Sequence, residues 1–369
     1  MKKICVAMIG VGCISGIYLE NLTKTFREVE LLGVCDLVRE RAQAAREKYG
    51  IPKLYETMHD AFADPQVDIV LNLTRPYEHF EVSKAALLAG KHVYSEKPLA
   101  ASLEEGITLT KLAQEKGRML GGAPDTFLGA GIQTCRKLID SGMIGTPIGS
   151  ACFMICHGHE SWHPDPDFYY QYGGGPMMDM GPYYLTALLN LMGGFDRVMS
   201  ASRITFPERL ITSAPLAGTP INVHVNTYVA GTICFQSGAI GTIFTTFDVH
   251  YKQQARFEIY GSEGTLIVPD PNCFGGPIVL YRPEEAEPRT IPLMFDYAEN
   301  SRGLGLADMA KALASGRPAR ADYTQTFHVL DAITGFDRSA KSGQWVKMST
   351  EYQRKAPMVK AKLIGELDS

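Results

Sequence analysis

The feature that most constrains the fold is a short apolar run, Ile4 to Ile9, that stops at Gly10-Val11-Gly12-Cys13-Ile14-Ser15 and passes into a helical stretch, Ser15 to Thr25. A strand ending in two closely spaced glycines before a helix lets backbone N–H groups approach a pyrophosphate, whose charge the helix N-terminus favours. Gly10 makes the tight turn and Gly12 gives close approach, with Cys13 and Ile14 at the helix start. Ser15 stands where such turns prefer Gly or Ala, and it is small enough to keep the helix close to the strand. A second strand, Val29 to Cys35, ends in Asp36. A carboxylate there accepts hydrogen bonds from an adenosine ribose and repels a 2′-phosphate. The expected cofactor is therefore NAD, with NADP disfavoured. Arg39 and Arg41 follow closely and soften that preference, so Arg41 joins the expected cofactor contacts.

The alternation continues through the helix Arg39 to Tyr49, the strand Val67 to Leu73, the helix Glu78 to Ala89, the strand His92 to Ser95, the helix Ser102 to Lys116 and the strand Met119 to Gly121. The continuous apolar run at Val67 to Leu73 is that of a parallel strand buried on both faces. These signals predict an α/β Rossmann domain over residues 1–122. Beyond residue 122 the rhythm changes. A helix over Phe127 to Asp140, a strand over Ile148 to Cys156, a helix over Pro182 to Leu191, hairpin-spaced strands between Val223 and Val268 and two late helices, near Gly303 to Ala314 and Thr324 to Lys341, predict an α+β domain over 123–369. Its open, mostly antiparallel sheet carries alternating apolar residues, Ile233, Phe235, Ile243 and Phe247, which suggest packing against a second copy in a homodimer or homotetramer. The last dozen residues read as a loose tail or an arm on a neighbouring subunit.

A chain of 369 residues exceeds one ordinary core. A net charge of −4 argues against nucleic-acid binding. The apolar run after Met1-Lys2-Lys3 is too short for a membrane span and unlike a signal peptide, so a cytoplasmic protein is expected. None of the 8 cysteines has the spacing of a zinc or redox motif.

Several positions carry candidate chemistry. Asn72, Thr74, Pro76 and His79 follow the third strand, where the ribose and nicotinamide of a bound cofactor would pass. Glu96-Lys97-Pro98 follows a short strand whose carboxyl end faces the ligand crevice. A lysine there can hold a substrate hydroxyl and stabilise charge as its proton leaves, and proline fixes the backbone, with cis geometry an option. The competing reading is a surface lysine in a turn. Three glycines, Gly173 to Gly175, precede Asp179 and Tyr183, which share one face if the segment is helical. A carboxylate and a phenol so placed can grip or deprotonate a sugar hydroxyl. Alternatively, Asp179 caps the helix and Tyr183 packs in the core. The segment His157-Gly158-His159-Glu160-Ser161-Trp162-His163-Pro164-Asp165 suggests a carbohydrate subsite. There Trp162 or Tyr170 covers an apolar sugar face, and His159, Glu160 or His163 bonds hydroxyls. It fits no known zinc spacing, so no metal is expected. His163 is also a candidate proton acceptor. Asp125 is expected to face substrate, and Tyr251 and Arg256 are weaker candidates.

Taken in order, Gly10-x-Gly12, Glu96-Lys97-Pro98 and Gly-Gly-Gly-Pro followed by Asp179 with a ring residue four later resemble the Gfo/Idh/MocA oxidoreductases over nearly the whole chain. The resemblance implies NAD-dependent oxidation of a secondary hydroxyl on a sugar, polyol, inositol or glycoside, the sugar 3-position being one option. It further implies that Lys97 lies beside nicotinamide and substrate and that Asp179 binds or orients the substrate. Many members have histidine where this chain has Tyr183, whereas glucose–fructose oxidoreductase is similar to this chain in using tyrosine there as acid/base. A phenol, with a reference pKa of about 10, needs a cationic neighbour such as Lys97 to act as a base. Two other outcomes use the same parts: a cofactor-recycling enzyme with tightly held NAD, and a non-catalytic NAD-binding regulator.

Overall fold

A computed structural model describes residues 3–250, 256–360 and 362–368; Tyr251 lies outside them. The chain divides into two units, one formed by Met1–Ala130, Phe295–Phe327 and Lys355–Ser369, the other by Gly131–Met294 and His328–Arg354.

The first unit is built on β1 (Ile4–Ile9), α1 (Ser15–Lys24), β2 (Val29–Cys35), α2 (Arg39–Tyr49), β3 (Lys53–Leu54), α3 (Met58–Ala63), β4 (Ile69–Asn72), α4 (His79–Leu88), β5 (His92–Ser95), α5 (Leu103–Glu115) and β6 (Leu120–Gly122). The strands form one six-stranded parallel sheet in the order β3-β2-β1-β4-β5-β6. Strand order reverses between β1 and β4, so their connections leave to opposite sides and open a crevice at the carboxyl edge. Val6, Ala7 and Met8 of β1 and Ile69, Val70 and Leu71 of β4 are wholly buried, as strands covered on both faces must be. The short β3 and α3 left no apolar run in the sequence; α3 is fixed by a Thr57–Asp60 capping box.

Later segments return to this unit. Helix α9 (Leu304–Ser315) starts at Gly303, and the N–H groups of Gly303 and Gly305 donate to Asp125 Oδ2 at 2.9 and 3.0 Å. Among the described residues, the chain end packs on its own unit. Asp368 pairs with Arg317 and Arg320, the Leu367 N–H donates to Glu28 Oε1 at 2.7 Å, and Leu367 is buried.

The second unit contains α6 (Ala130–Asp140), β7 (Pro147–Ile155), α7 (Pro176–Asp179), α8 (Gly181–Met192), β8 (Phe195–Arg203), β9 (Glu208–Leu210), β10 (Pro220–Asn222), β11 (Tyr228–Phe235), β12 (Ile240–Thr246), β13 (Arg256–Gly261), β14 (Thr265–Ile267), β15 (Ile278–Tyr281) and β16 (Arg289–Ile291). To these are added most of α10 (Tyr323–Ser342) and β17 (Val346–Lys347). The nine-stranded sheet runs β16-β15-β14-β13-β7-β12-β11-β8-β17. Its pairings are antiparallel except β7 with β12, so the sheet is open and mostly antiparallel. Strands β9 and β10 form a separate two-stranded ribbon.

Helices α8 and α10 cover one face of the large sheet. Gly231 on β11 leaves room for the Phe336 ring of α10, and Tyr184 of α8 packs against Phe257 of β13. Ile233, Phe235, Ile243 and Phe247 lie in this internal layer and are at most 2% exposed, which removes them as a surface for a second subunit. The strand pleat sends Phe153, Tyr228, Ala230, Thr242 and Phe244 to the other face, where they are half-buried or exposed.

Candidate functional site

The glycine turn closes β1 onto its neighbours. Gly10 has φ +96°, and a Cβ there would lie 2.7 Å from the carbonyl oxygen of Leu73 at the end of β4. Its N–H donates to Cys35 O at 2.9 Å. Gly12 has open space where a Cβ would stand, and Cys13 and Ile14 are exposed. The first turn of α1 carries no acidic residue and no side-chain cap. The helix start thus has no side-chain acceptor of its own, as suits binding of an anion. Ser15 donates to Gly12 O from its hydroxyl at 2.7 Å and from its N–H at 3.1 Å, which steadies the turn.

Asp36 accepts from the Val11 N–H at 2.6 Å and from the Val38 N–H at 2.7 Å. One carboxylate therefore ties the glycine turn to the end of β2, at the edge where an adenosine ribose belongs. Arg39 is engaged by Glu56, and Arg41 is exposed on α2. A bound NAD fits this set: a turn without side chains, an uncapped helix start and a fixed carboxylate.

The loop after β4 is organised by buried polar groups. Asn72 accepts from the N–H and the hydroxyl of Thr74, and its amide donates to Ser83 Oγ at 3.0 Å and to His79 O at 3.1 Å. His79 is buried between two carbonyls, Pro98 O at 2.7 Å from Nδ1 and Thr74 O at 3.0 Å from Nε2. Burial is the largest influence on this imidazole and holds its pKa down. Asn72 and His79 thus shape the loop from beneath, while Thr74 and Pro76 lie nearer its surface. Glu96 is buried, takes the Tyr18 hydroxyl at 2.7 Å on Oε1 and the Lys97 N–H at 3.0 Å on Oε2. The Lys97–Pro98 bond is cis, and Lys97 is half-buried just beyond the carboxyl end of β5.

Asp125, expected to face substrate, is instead 1% exposed and caps α9. Burial dominates its titration and pushes its pKa up to about 6.

In the second unit, Asp179 ends α7, and one residue, Met180, separates it from α8. Met180, not Asp179, is the N-cap of α8, and it makes no side-chain cap. The capping reading of Asp179 therefore does not apply. Its Oδ2 lies 3.4 Å from His159 Nε2, with both side chains largely buried. Tyr183 stands in the first turn of α8 and is 7% exposed. The preceding glycines serve the chain itself: a Cβ on Gly174 would lie 2.5 Å from Tyr169 O, and the Gly175 N–H donates to that carbonyl at 2.6 Å.

The histidine-rich segment is an aromatic nest. The His159 ring has centroid separations of 4.0 Å to Tyr169, 4.7 Å to Phe247 and 5.3 Å to Trp162. Trp162 is 61% exposed and remains available as a platform. His163 is buried, and its Nδ1 accepts from the Asp165 N–H at 3.1 Å. A neutral ring so bonded carries its proton on Nε2, which is then a donor and not a base. Tyr170 is wholly buried, and its ring lies under the Arg209 guanidinium at 5.1 Å, so it is a scaffold residue and not a sugar platform. Glu160, another candidate for hydroxyl binding, is consumed by Arg209 at 2.6 Å.

Arg209 escaped the sequence reading. It comes from β9, bonds Glu160 and Asp248 and donates to Phe247 O at 2.8 Å. Its partners are 49 and 39 residues away, so no local pattern marks it. Arg256 pairs with Glu258 on β13. Among the described residues no cluster of three or more His, Cys, Asp or Glu could hold a metal, and no helix is long and apolar enough to cross a membrane.

The fold and these two groups of residues define a two-unit protein with a dinucleotide-type turn and a separate carboxylate–histidine pair. Residues 4–122 match the oxidoreductase family with an NAD-binding Rossmann fold, and residues 132–267 match the GFO/IDH/MocA C-terminal domain. The chain belongs to the Gfo/Idh/MocA oxidoreductase family. It is 25% identical over 353 residues to D-glucoside 3-dehydrogenase of Escherichia coli strain K12, covering 93% of this chain and 97% of that protein. It is 34% identical to inositol 2-dehydrogenase/D-chiro-inositol 3-dehydrogenase of Lactiplantibacillus plantarum over 146 residues, 39% of this chain and only 41% of that enzyme. Levoglucosan dehydrogenase in complex with NADH and L-sorbose shares the fold, with a TM-score of 0.82 at 21% identity over 95% of this chain and 100% of that one.

Proposed function

We propose that this protein is an NAD-dependent dehydrogenase acting on a secondary hydroxyl of a sugar, polyol, inositol or glycoside. The observation that carries this reading is the turn at Gly10–Ser15. Its uncapped helix start and the Asp36 carboxylate suit a diphosphate and an unphosphorylated ribose. The family relatives named for inositol and glucoside dehydrogenation point to the same substrate class.

A nicotinamide, when bound, would supply the hydride acceptor. Lys97 provides a cation that stabilises the developing alkoxide. Glu96 fixes the backbone from which that lysine projects, through its bond to the Lys97 N–H. Asp179 orients the substrate hydroxyl. Tyr183 takes the proton, from a first helical turn that favours negative charge. Because His163 already accepts a backbone hydrogen bond at Nδ1, it suits hydroxyl binding as a donor at Nε2 and not proton acceptance. Trp162 offers its exposed face to the apolar side of a second ring, which favours a glycoside over a free monosaccharide.

The free cysteines suit a reducing, cytoplasmic setting. The uncovered face of the large sheet suits a second copy. Phe244 lies 4.8 Å from Tyr228 and 6.1 Å from Phe153 in an apolar strip flanked by Arg203 and Arg256. A strip of this kind is self-complementary across a two-fold axis.

The test is a set of polyols, monosaccharides and glycosides offered with NAD and with NADP. NADH formation from at least one glycoside or cyclic polyol is expected, and it is lost in Lys97→Met. Equal turnover in that variant would remove the assignment of Lys97.

A further inference from the structure

We infer that His159 is the positioning partner of Asp179, an imidazole whose Nε2–H faces this carboxylate and aims it. The inference rests on the dehydrogenase reading above and deepens it. His159 Nε2 is buried, makes no aligned hydrogen bond and faces Asp179 Oδ2 at 3.4 Å. A buried ring nitrogen opposite a carboxylate is attractive only as N–H; as a lone pair it would repel. The separation is long for a hydrogen bond, as carboxylate–imidazole contacts often are before substrate arrives.

The ring has little freedom to turn away. Tyr169, Trp162 and Phe247 surround it, and the His159 N–H donates to the Tyr170 hydroxyl at 3.4 Å. The strand of chain that carries it is pinned on the far side. The N–H groups of Thr212 and Ser213 donate to Glu160 O at 2.9 Å, and the Glu160 carboxylate is held by Arg209. The two other imidazoles of the segment are committed elsewhere: His163 takes the Asp165 N–H, and His157 stacks on His250 at 3.4 Å between centroids. His159 is the imidazole of the segment that approaches Asp179 at Nε2. The groups facing it are Asp179 from α7, the Tyr170 hydroxyl, and the rings of Tyr169, Trp162 and Phe247. Behind these the Glu160 carboxylate is paired with Arg209.

Two measurements test this. In the first, ring-labelled histidine NMR follows His159, assigned through His159→Gln, in the parent and in Asp179→Asn. Loss of the facing carboxylate is expected to release the Nε2–H tautomer, so that the His159 ring-nitrogen resonances move toward a mixture of the two neutral tautomers. Ring-nitrogen resonances unchanged between the parent and Asp179→Asn would overturn the dyad, whatever the enzyme's substrate. In the second, His159→Phe keeps the packing and removes the N–H, while His159→Gln keeps a donor near Nε2. With the best carbohydrate, His159→Phe is expected to lower kcat about 100-fold with KM changed only a few-fold, and His159→Gln to recover most of the loss. NADH affinity by fluorescence is expected to be the same in all three proteins. Full kcat in His159→Phe would overturn the inference and leave the dehydrogenase reading intact. An inactive parent would sink that reading instead, and the NMR shift would still decide the dyad.

Discussion

Replacing Arg209 with methionine is the most informative single perturbation of the second unit. The Arg209 side chain is 5% exposed, and its carboxylate partners Glu160 and Asp248 are 10% and 2% exposed. Thr227 completes Asp248 with a hydroxyl at 2.7 Å. Methionine fills much of the volume but leaves two carboxylates facing each other out of water. Breaking a buried pair in this way costs about 3–5 kcal/mol. Lysine will not rescue it, because one ammonium cannot span Glu160, Asp248 and Phe247 O as the guanidinium fork does. The deficit has a definite pH dependence. Protonating one of the stranded carboxylates relieves the repulsion, so the folded variant binds protons more readily than its unfolded chain. Its loss relative to the parent is therefore largest near neutrality and shrinks toward pH 5. Urea unfolding followed by tryptophan fluorescence, at pH 8 and pH 5, measures this directly. A loss under about 1 kcal/mol at pH 8, or one that grows on acidification, would refute the account of Arg209 as the pin of the His157–His163 segment.

Four further outcomes follow from the same geometry. Gly10→Ala forces a side chain into a backbone with φ +96° and against Leu73 O; calorimetry should show NAD binding lost, with about 1–2 kcal/mol of strain appearing in stability. Asp36→Ser removes the acceptor of the Val11 and Val38 N–H groups and the repulsion of a 2′-phosphate; the ratio of kcat/KM for NAD to that for NADP should fall at least 10-fold. Asp125 has its carboxyl pushed up to about 6, so its stabilising contribution is full below the unfolded value near 3.9 and is lost as pH rises through about 6. Parent stability should accordingly fall by up to about 1.4 kcal/mol per pH unit across that window, and Asp125→Asn should flatten the slope. Phe244→Glu places a charge in the centre of the uncovered sheet face and should yield monomers by light scattering, with the parent expected as a dimer or tetramer.

The first unit was legible because parallel strands are continuous apolar runs. The His92–Ser95 strand falls where the sequence puts it, and β4 differs from its expected span only at the ends. The helices α9 and α10 were legible for a different reason, each being a long periodic segment bounded by glycine or a polar turn. What the sequence hid was set by distant partners. Strand β8 alternates weakly, with Arg197, Ala201 and Arg203 exposed, and takes its strand form from pairing with β11. The β9–β10 ribbon has three residues a side and exists through its ties to the aromatic segment. Asp125 looked like a site residue because it is a lone carboxylate after a strand; its true neighbours, Gly303 and Gly305, lie 178 and 180 residues further on. Tyr170 misled in the same way, since an aromatic in a polar segment reads equally as a platform or as a core residue until Arg209 and Phe247 are placed around it.

The reaction itself is the most direct test of the central claim. The parent protein, NAD and a panel of glycosides and cyclic polyols should together produce NADH in steady state, with NADP a poorer acceptor and Lys97→Met inactive. Absence of NADH with every carbohydrate, in a protein that binds NAD by calorimetry, would contradict the account.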